Sequence, residues 1–211
     1  MCNFFSCIVM KNKRVIWEAG IDNHHEIVEK YEIPDNEEDQ QKMLFARVEI
    51  LPPDNENGVF DKNIDNWVLM VDERIKPEWF SPAHKQAAIW ALKECLNLVI
   101  IDGVTVDKIK NKRGLFVRNS TIEMLDNSTV QKMFDNSTVQ KMFGNSTVQK
   151  MLDSSTVNVY SEKATVGKIL SKMAVAVCRL AGKMFFKIMV PNGAVCNWPA
   201  IINMARARID K

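Results

Sequence analysis

Only three histidines occur in this chain, and no two of its five cysteines form a CxxC pair. With no HxH, HxxxH or zinc-finger spacing either, the residues give no reason to expect a metal. A Gly-rich phosphate loop and a GxSxG nucleophile elbow are also missing, which removes the commonest nucleotide-binding and serine-hydrolase readings. No apolar run is long enough to cross a bilayer, because Arg179, Lys183 and Lys187 interrupt the best candidates. The N-terminus lacks the basic, apolar, small-residue order of a signal peptide. Cys2, Cys7, Cys95, Cys178 and Cys196 are odd in number and scattered, as reduced thiols are. The expectation is a cytoplasmic chain with no cofactor and no membrane contact.

What is present is enough for a core: 46% of the 211 residues are hydrophobic. The net charge of +2 hides an asymmetry. Residues 1–100 carry 11 Lys and Arg against 18 Asp and Glu, and residues 101–211 carry 17 against 8, so the halves stand at −7 and +9. Such a split suggests two modules, with mutual attraction, an anionic partner for the second, or two solvated surfaces.

Residues 1–98 read as an α+β domain of ββαββα order. "FFSCIVM" and "KNKRVIW" look like a hairpin around Lys11-Asn12-Lys13. "HHEIVEKYEI" places Ile27, Val28 and Tyr31 on one helical face, with Asp22 or Asn23 as cap and Pro34 as stop. "MLFARVEIL" and "NWVLMVDE" alternate like strands, separated by a loop with Pro52-Pro53 and Asn57-Gly58. "SPAHKQAAIWALKECLNL" is a helix capped by Ser81 and started by Pro82, with a stripe of Ala88, Ile89, Leu92, Cys95 and Leu96.

Residues 99–166 hold a repeat, "DNSTVQKMFDNSTVQKMFGNSTVQKMLDSSTV" being its clearest part. Val130, Val139, Val148, Val157 and Val166 recur every nine positions, with Ile122 as an earlier member. Nine residues make two and a half helical turns, so successive valines would fall on opposite sides of a helix. Thr-Val pairs favour strands, and Asp-Asn or Gly-Asn favours tight turns. The period therefore predicts a parallel β-solenoid with two units per coil, roughly 18 residues, and coils about 4.8 Å apart. The five or six units predict about three such coils, roughly the minimum for a stable stack. Val and Met are expected inside, Thr and Gln outside. The row Leu125, Phe134, Phe143 and Leu152 faces inward by hydrophobicity and outward by alternation; outside, it would be an apolar partner surface. Lys132 and Lys150 should share one face, one coil apart, with Lys141 on the other. They serve either as a phosphate-reading ladder or as a guard against edge aggregation.

The tandem "NSTV" units resemble short-period β-solenoid repeat proteins, loosely of the pentapeptide-repeat type, found in bacteria and their phages and mobile elements. The likeness covers residues 119–166, with a period of nine in place of five. "RVEILPP", "NWVLMVDE" and "KPEWF" are similar to stretches of phage or prophage proteins. Some pentapeptide-repeat proteins imitate duplex DNA, which requires an acidic solenoid; this half is basic. Residues 167–211 form a C-terminal module in which "KMAVAVCRLAGKMFFKIMVPNG" reads as a hairpin capping the solenoid, or as one amphipathic helix from Val166 to Met189.

Candidates for chemistry are sparse. Cys2, exposed as an N-terminal residue if Met1 is removed, has the amine and thiol of an Ntn-type hydrolase nucleophile, or it simply packs. His24 and His25 point about 100° apart on a helix, so one packed and one solvated is the plain reading. The functions consistent with these residues are a non-enzymatic module for a protein partner or homo-oligomer, nucleic-acid or polyanion binding through the basic half, and an N-terminal-cysteine hydrolase.

Overall fold

The computed structural model describes residues 5–35, 42, 44–55, 58–72, 77–171 and 173–180, together with the strand 183–189. The chain divides into two compact units, Met1–Val99 and Ile100–Lys211.

The first unit is a mixed α/β body built on a four-stranded antiparallel sheet of order β2-β1-β3-β4. Its strands are β1 (Phe5–Met10), β2 (Val15–Ile16), β3 (Phe45–Leu51) and β4 (Val68–Val71). The β1–β2 turn is closed by the Asn12 carboxamide, which accepts from the Arg14 amide at 3.0 Å, while Lys13 adopts φ +70°. Helix α1 (His24–Lys30) starts at Asn23, whose side chain accepts from the His25 amide at 2.9 Å. It buries Ile27 and Val28 against Ile8, Ile16 and Phe45. Tyr31, expected on that stripe, is 42% exposed because the helix ends at Lys30 and Tyr31 is its C-cap.

Helix α2 (Pro82–Val99) buries Ala88, Leu92 and Cys95. The Ser81 carbonyl receives the amides of His84 and Lys85. His84 Nε2 lies 3.0 Å from the Lys11 carbonyl, to which only a donor can bond. Its Nδ1 therefore accepts, from the Ser81 amide at 3.2 Å and hydroxyl at 2.9 Å. The bond from the Ser81 amide to the ring is one half of a capping box, with an imidazole in the glutamate's place.

The second unit is a parallel β-solenoid. One sheet has the order β13-β11-β9-β7-β5, and the other β15-β14-β12-β10-β8-β6. The strands are β5 (Ile100–Asp102), β6 (Thr105–Lys110), β7 (Leu115–Arg118), β8 (Thr121–Leu125), β9 (Thr129–Phe134), β10 (Thr138–Met142), β11 (Thr147–Met151), β12 (Thr156–Val159), β13 (Thr165–Ile169), β14 (Val175–Leu180) and β15 (Lys183–Met189). Val148 faces Val130 on one side and Val166 on the other, each 18 positions away, so two repeat units make one coil. The stack is longer than the expected three coils because the degenerate segments also join it. Val106 pairs with Ile122, Leu115 with Val130, and Ala176 with Val157. β14 continues the parallel stack and pairs antiparallel with β15; both are strands, not one helix.

Val and Met of each unit are fully buried in one cluster between the sheets, Met133, Met142 and Met151 included. In the Val-Gln-Lys-Met units the two inward residues are three positions apart, so the Gln and Lys between them both turn away from the core. Each unit then turns at a residue of positive φ: Asp126 (+58°), Asp135 (+50°), Gly144 (+64°) and Asp153 (+49°). The serine two places on is buried, and its hydroxyl donates to the carbonyl three residues back, in Ser128 to Leu125, Ser137 to Phe134, Ser146 to Phe143 and Ser155 to Leu152. Among the described residues, no helix is long and apolar enough to cross a membrane.

Candidate anion-binding face

Strand pairing brings Lys132, Lys150 and Lys168 into direct register on β9, β11 and β13. Parallel strands lie about 4.8 Å apart, so three ammonium-bearing chains leave one sheet at that spacing. Lys168 was not anticipated. Its unit reads Thr-Val-Gly-Lys-Ile-Leu, with glycine where earlier units have glutamine, yet the nine-residue spacing of Val148, Val157 and Val166 was the signal that could have found it. Thr129, Thr147 and Thr165 run beside the lysines as a second row.

Among the described residues, none of the three lysines makes an ion pair. The other sheet behaves differently. Lys141 pairs with Glu123 at 3.0 Å, and Lys110 on β6 pairs with Asp126 at 3.2 Å. At the start of the stack, Arg118 is held by Asp102 through two contacts, Nε to Oδ1 at 3.0 Å and Nη2 to Oδ2 at 2.6 Å. Positive charge is thus neutralised at these three positions and left open along the β9-β11-β13 row. The Lys132 ammonium is pushed below its ordinary pKa, first by burial of its stem and then by the like charge of Lys150. An anion laid across the row would relieve the second effect.

The aromatic and leucine positions do not make a single exposed row. Phe134 is buried at 2% exposure, while Leu125, Phe143 and Leu152 are half-buried. Phe143 packs on Tyr160 of the next coil with ring centroids 5.4 Å apart. Phe116 sits in register with Lys132 but is itself buried. The lysine row therefore carries no exposed ring at Phe116 on which a nucleic-acid base could stack.

Cys2 lies outside the described residues. Cys7, Cys95 and Cys178 are free and buried. Burial raises the thiol pKa of each, Cys95 to about 12, so none has the character of an activated nucleophile. His24 is buried and His25 exposed. His84 stacks on Phe80, lies tilted against Trp79 and is consumed by the helix cap.

Comparison with protein-family models, curated proteins and solved structures gave no match. The functional reading rests on the chain's own geometry.

Proposed function

We propose that this protein is a non-enzymatic binding module that takes a polyanion along the Lys132–Lys150–Lys168 row. The observation that carries this reading is the in-register set of three lysines without an acidic partner among the described residues, beside a sheet whose Lys141 is paired with Glu123. Three cations in a straight line at coil spacing suit a ligand whose own charges repeat, in contrast to a pocket that suits a small molecule. The +9 balance of residues 101–211 extends the attraction beyond the contact itself.

The test is fluorescence anisotropy of the full chain with a labelled single-stranded oligonucleotide, and with poly-glutamate as a second polyanion, over a range of salt. Three phosphate contacts predict log affinity falling against log salt with a slope of about −2. A variant with Lys132, Lys150 and Lys168 all changed to Gln should lose that slope. Salt-independent binding, or equal binding by the variant, would overturn the reading.

A second reading is favoured by the Phe143–Tyr160 pair. With Leu125 it leaves half-buried apolar surface at a corner of the coil, which supports contact with a protein partner or another copy of the chain. Mass by light scattering, compared between the chain and Phe143→Ser, distinguishes it. The likeness of the "NSTV" units to repeat proteins of bacteria, their phages and mobile elements adds an accessory role in such an element to the proposal.

A further inference from the structure

Three side chains far apart in sequence converge on one face of the antiparallel sheet. Glu49 on β3 faces Met70 on β4, so Asp72, two positions beyond Met70, lies on the same side as Glu49. Helix α1 packs on that side through Ile27 and sets its first residue, His24, beside them. One ligand-type atom from each of His24, Glu49 and Asp72 lies within 4.8 Å of the other two.

We propose that these three residues form a site for one divalent transition-metal ion of the zinc or manganese class. The decisive detail is the orientation of His24, which is 4% exposed. Its Nε2 lies 3.0 Å from the Val48 carbonyl, which can only accept, so Nε2 carries the proton. In the neutral ring Nδ1 then presents a lone pair to two carboxylates, three acceptors with no donor between them among the described residues. A protonated ring does not explain the spacing either. Nδ1 stands 3.5 Å from Asp72 Oδ2, whereas a charge-assisted N–H···O bond closes to about 2.7–2.9 Å. Two ligands at about 2.1 Å on a tetrahedral ion lie about 3.4 Å apart, which matches. A metal-binding histidine commonly donates its other N–H to a backbone carbonyl, as His24 does. Glu49 is half-buried and Asp72 exposed, so the site is open to solvent on one side for entry of the ion and for water to complete its shell. On the same face, Arg47 is occupied by Asp35 at 2.6 Å and lies over the Phe45 ring.

The experiment is calorimetric titration of the metal-stripped full chain with zinc chloride, repeated on Glu49→Gln and Asp72→Asn after circular dichroism has shown both variants folded. One ion per chain is expected, with affinity falling at least roughly tenfold in each variant, the loss that even outer-shell partners of a ligand give. On the unsubstituted chain, zinc should also shift the imidazole resonances of His24 and leave those of His84 in place, which keeps the test independent of how the variants fold. Magnesium should bind more weakly, because an imidazole ligand suits it poorly. Absence of zinc binding, unchanged affinity in both variants, immobile His24 resonances, or magnesium binding as tightly as zinc would each overturn the assignment.

Discussion

A Cβ atom on Gly144 would lie 2.8 Å from both the Cα and the carbonyl oxygen of Asp126, one coil away. At the equivalent point of the opposite corner Asp153 is favourable, since its carboxylate accepts from the Asp135 amide at 3.0 Å. The same repeat position therefore holds aspartate at 126, 135 and 153 but is closed to a side chain at 144, where the Asp126 backbone of the coil before lies too near. Gly144→Asp, which would restore the residue of the neighbouring units, is expected to destabilise the chain. Aspartate already holds a left-handed φ at 126, 135 and 153, so the cost comes from the backbone overlap, about 1–3 kcal/mol as for other overpacked sites. Urea unfolding measures the difference; a Gly144→Asp chain as stable as the original would mean that the two corners are not so closely stacked.

Ser137 illustrates how the turns close. It is fully buried, and its hydroxyl reaches the Phe134 carbonyl at 2.6 Å and the Val117 carbonyl of the neighbouring coil at 3.1 Å. Ser137→Ala removes one buried hydrogen bond but leaves the Phe134 carbonyl the Ser137 amide at 3.2 Å, so a loss of about 1 kcal/mol is expected. Pairing it with Ser155→Ala, one coil on, should give more than twice that single loss if the corners support one another and the simple sum if they act alone. No measurable loss for Ser137→Ala would count against the corner bond as a stabilising contact.

The repeat was legible because its chemistry is periodic: valine every nine positions, a turn residue of positive φ between units, and Ser-Thr at each strand start. Asn23 as the cap of α1 and Pro82 as the first residue of α2 could be read for the same kind of local reason. What could not be read is whatever depends on register between distant residues. Leu115 and Val117 fill core positions, and Val106 packs half-buried against them, without the surrounding "NSTV" letters, so the sequence understates the length of the stack. His24, Glu49 and Asp72 are brought together only by the pairing of β3 with β4 and the docking of α1, and no spacing along the chain announces them. Phe134 is buried while Phe143 is half-buried, because the two fall at opposite corners with different neighbours.

Burial holds the Cys95 thiol protonated up to about pH 12, well above its ordinary pKa of 9.0. Cys7, more deeply enclosed, moves in the same direction. Above pH 9 the unfolded chain loses these protons and the folded chain keeps them, so stability must fall as pH rises. The contribution is fully present below 9.0 and is spent progressively toward the folded value. Each thiol contributes a slope of about 1.4 kcal/mol per pH unit in that window. Urea midpoints in reducing buffer at pH 8, 9 and 10 should fall less steeply for Cys95→Ala than for the original chain. Identical slopes would show that Cys95 ionises as readily folded as unfolded.

The lysine row supplies the sharpest separation between a binding role and a role in solubility. Lys132 and Lys150 repel one another across neighbouring strands, and that repulsion depresses the Lys132 pKa after burial has done so. Lys150→Glu replaces two like-charge contacts, with Lys132 and with Lys168, by attractive ones. Cross-strand pairs contribute roughly 0.2–1 kcal/mol, so the variant should be more stable than the original, most visibly at low salt. If the row binds a polyanion, the same substitution must weaken that binding, because it removes one cation and adds a repelling charge at the centre of the line. Gain of stability with loss of binding is the signature of a surface held in tension for a ligand. Should Lys150→Glu gain stability and bind the oligonucleotide as before, the lysines act as a guard on the sheet and the polyanion reading fails; should it lose stability, the side chains do not stand in the register described.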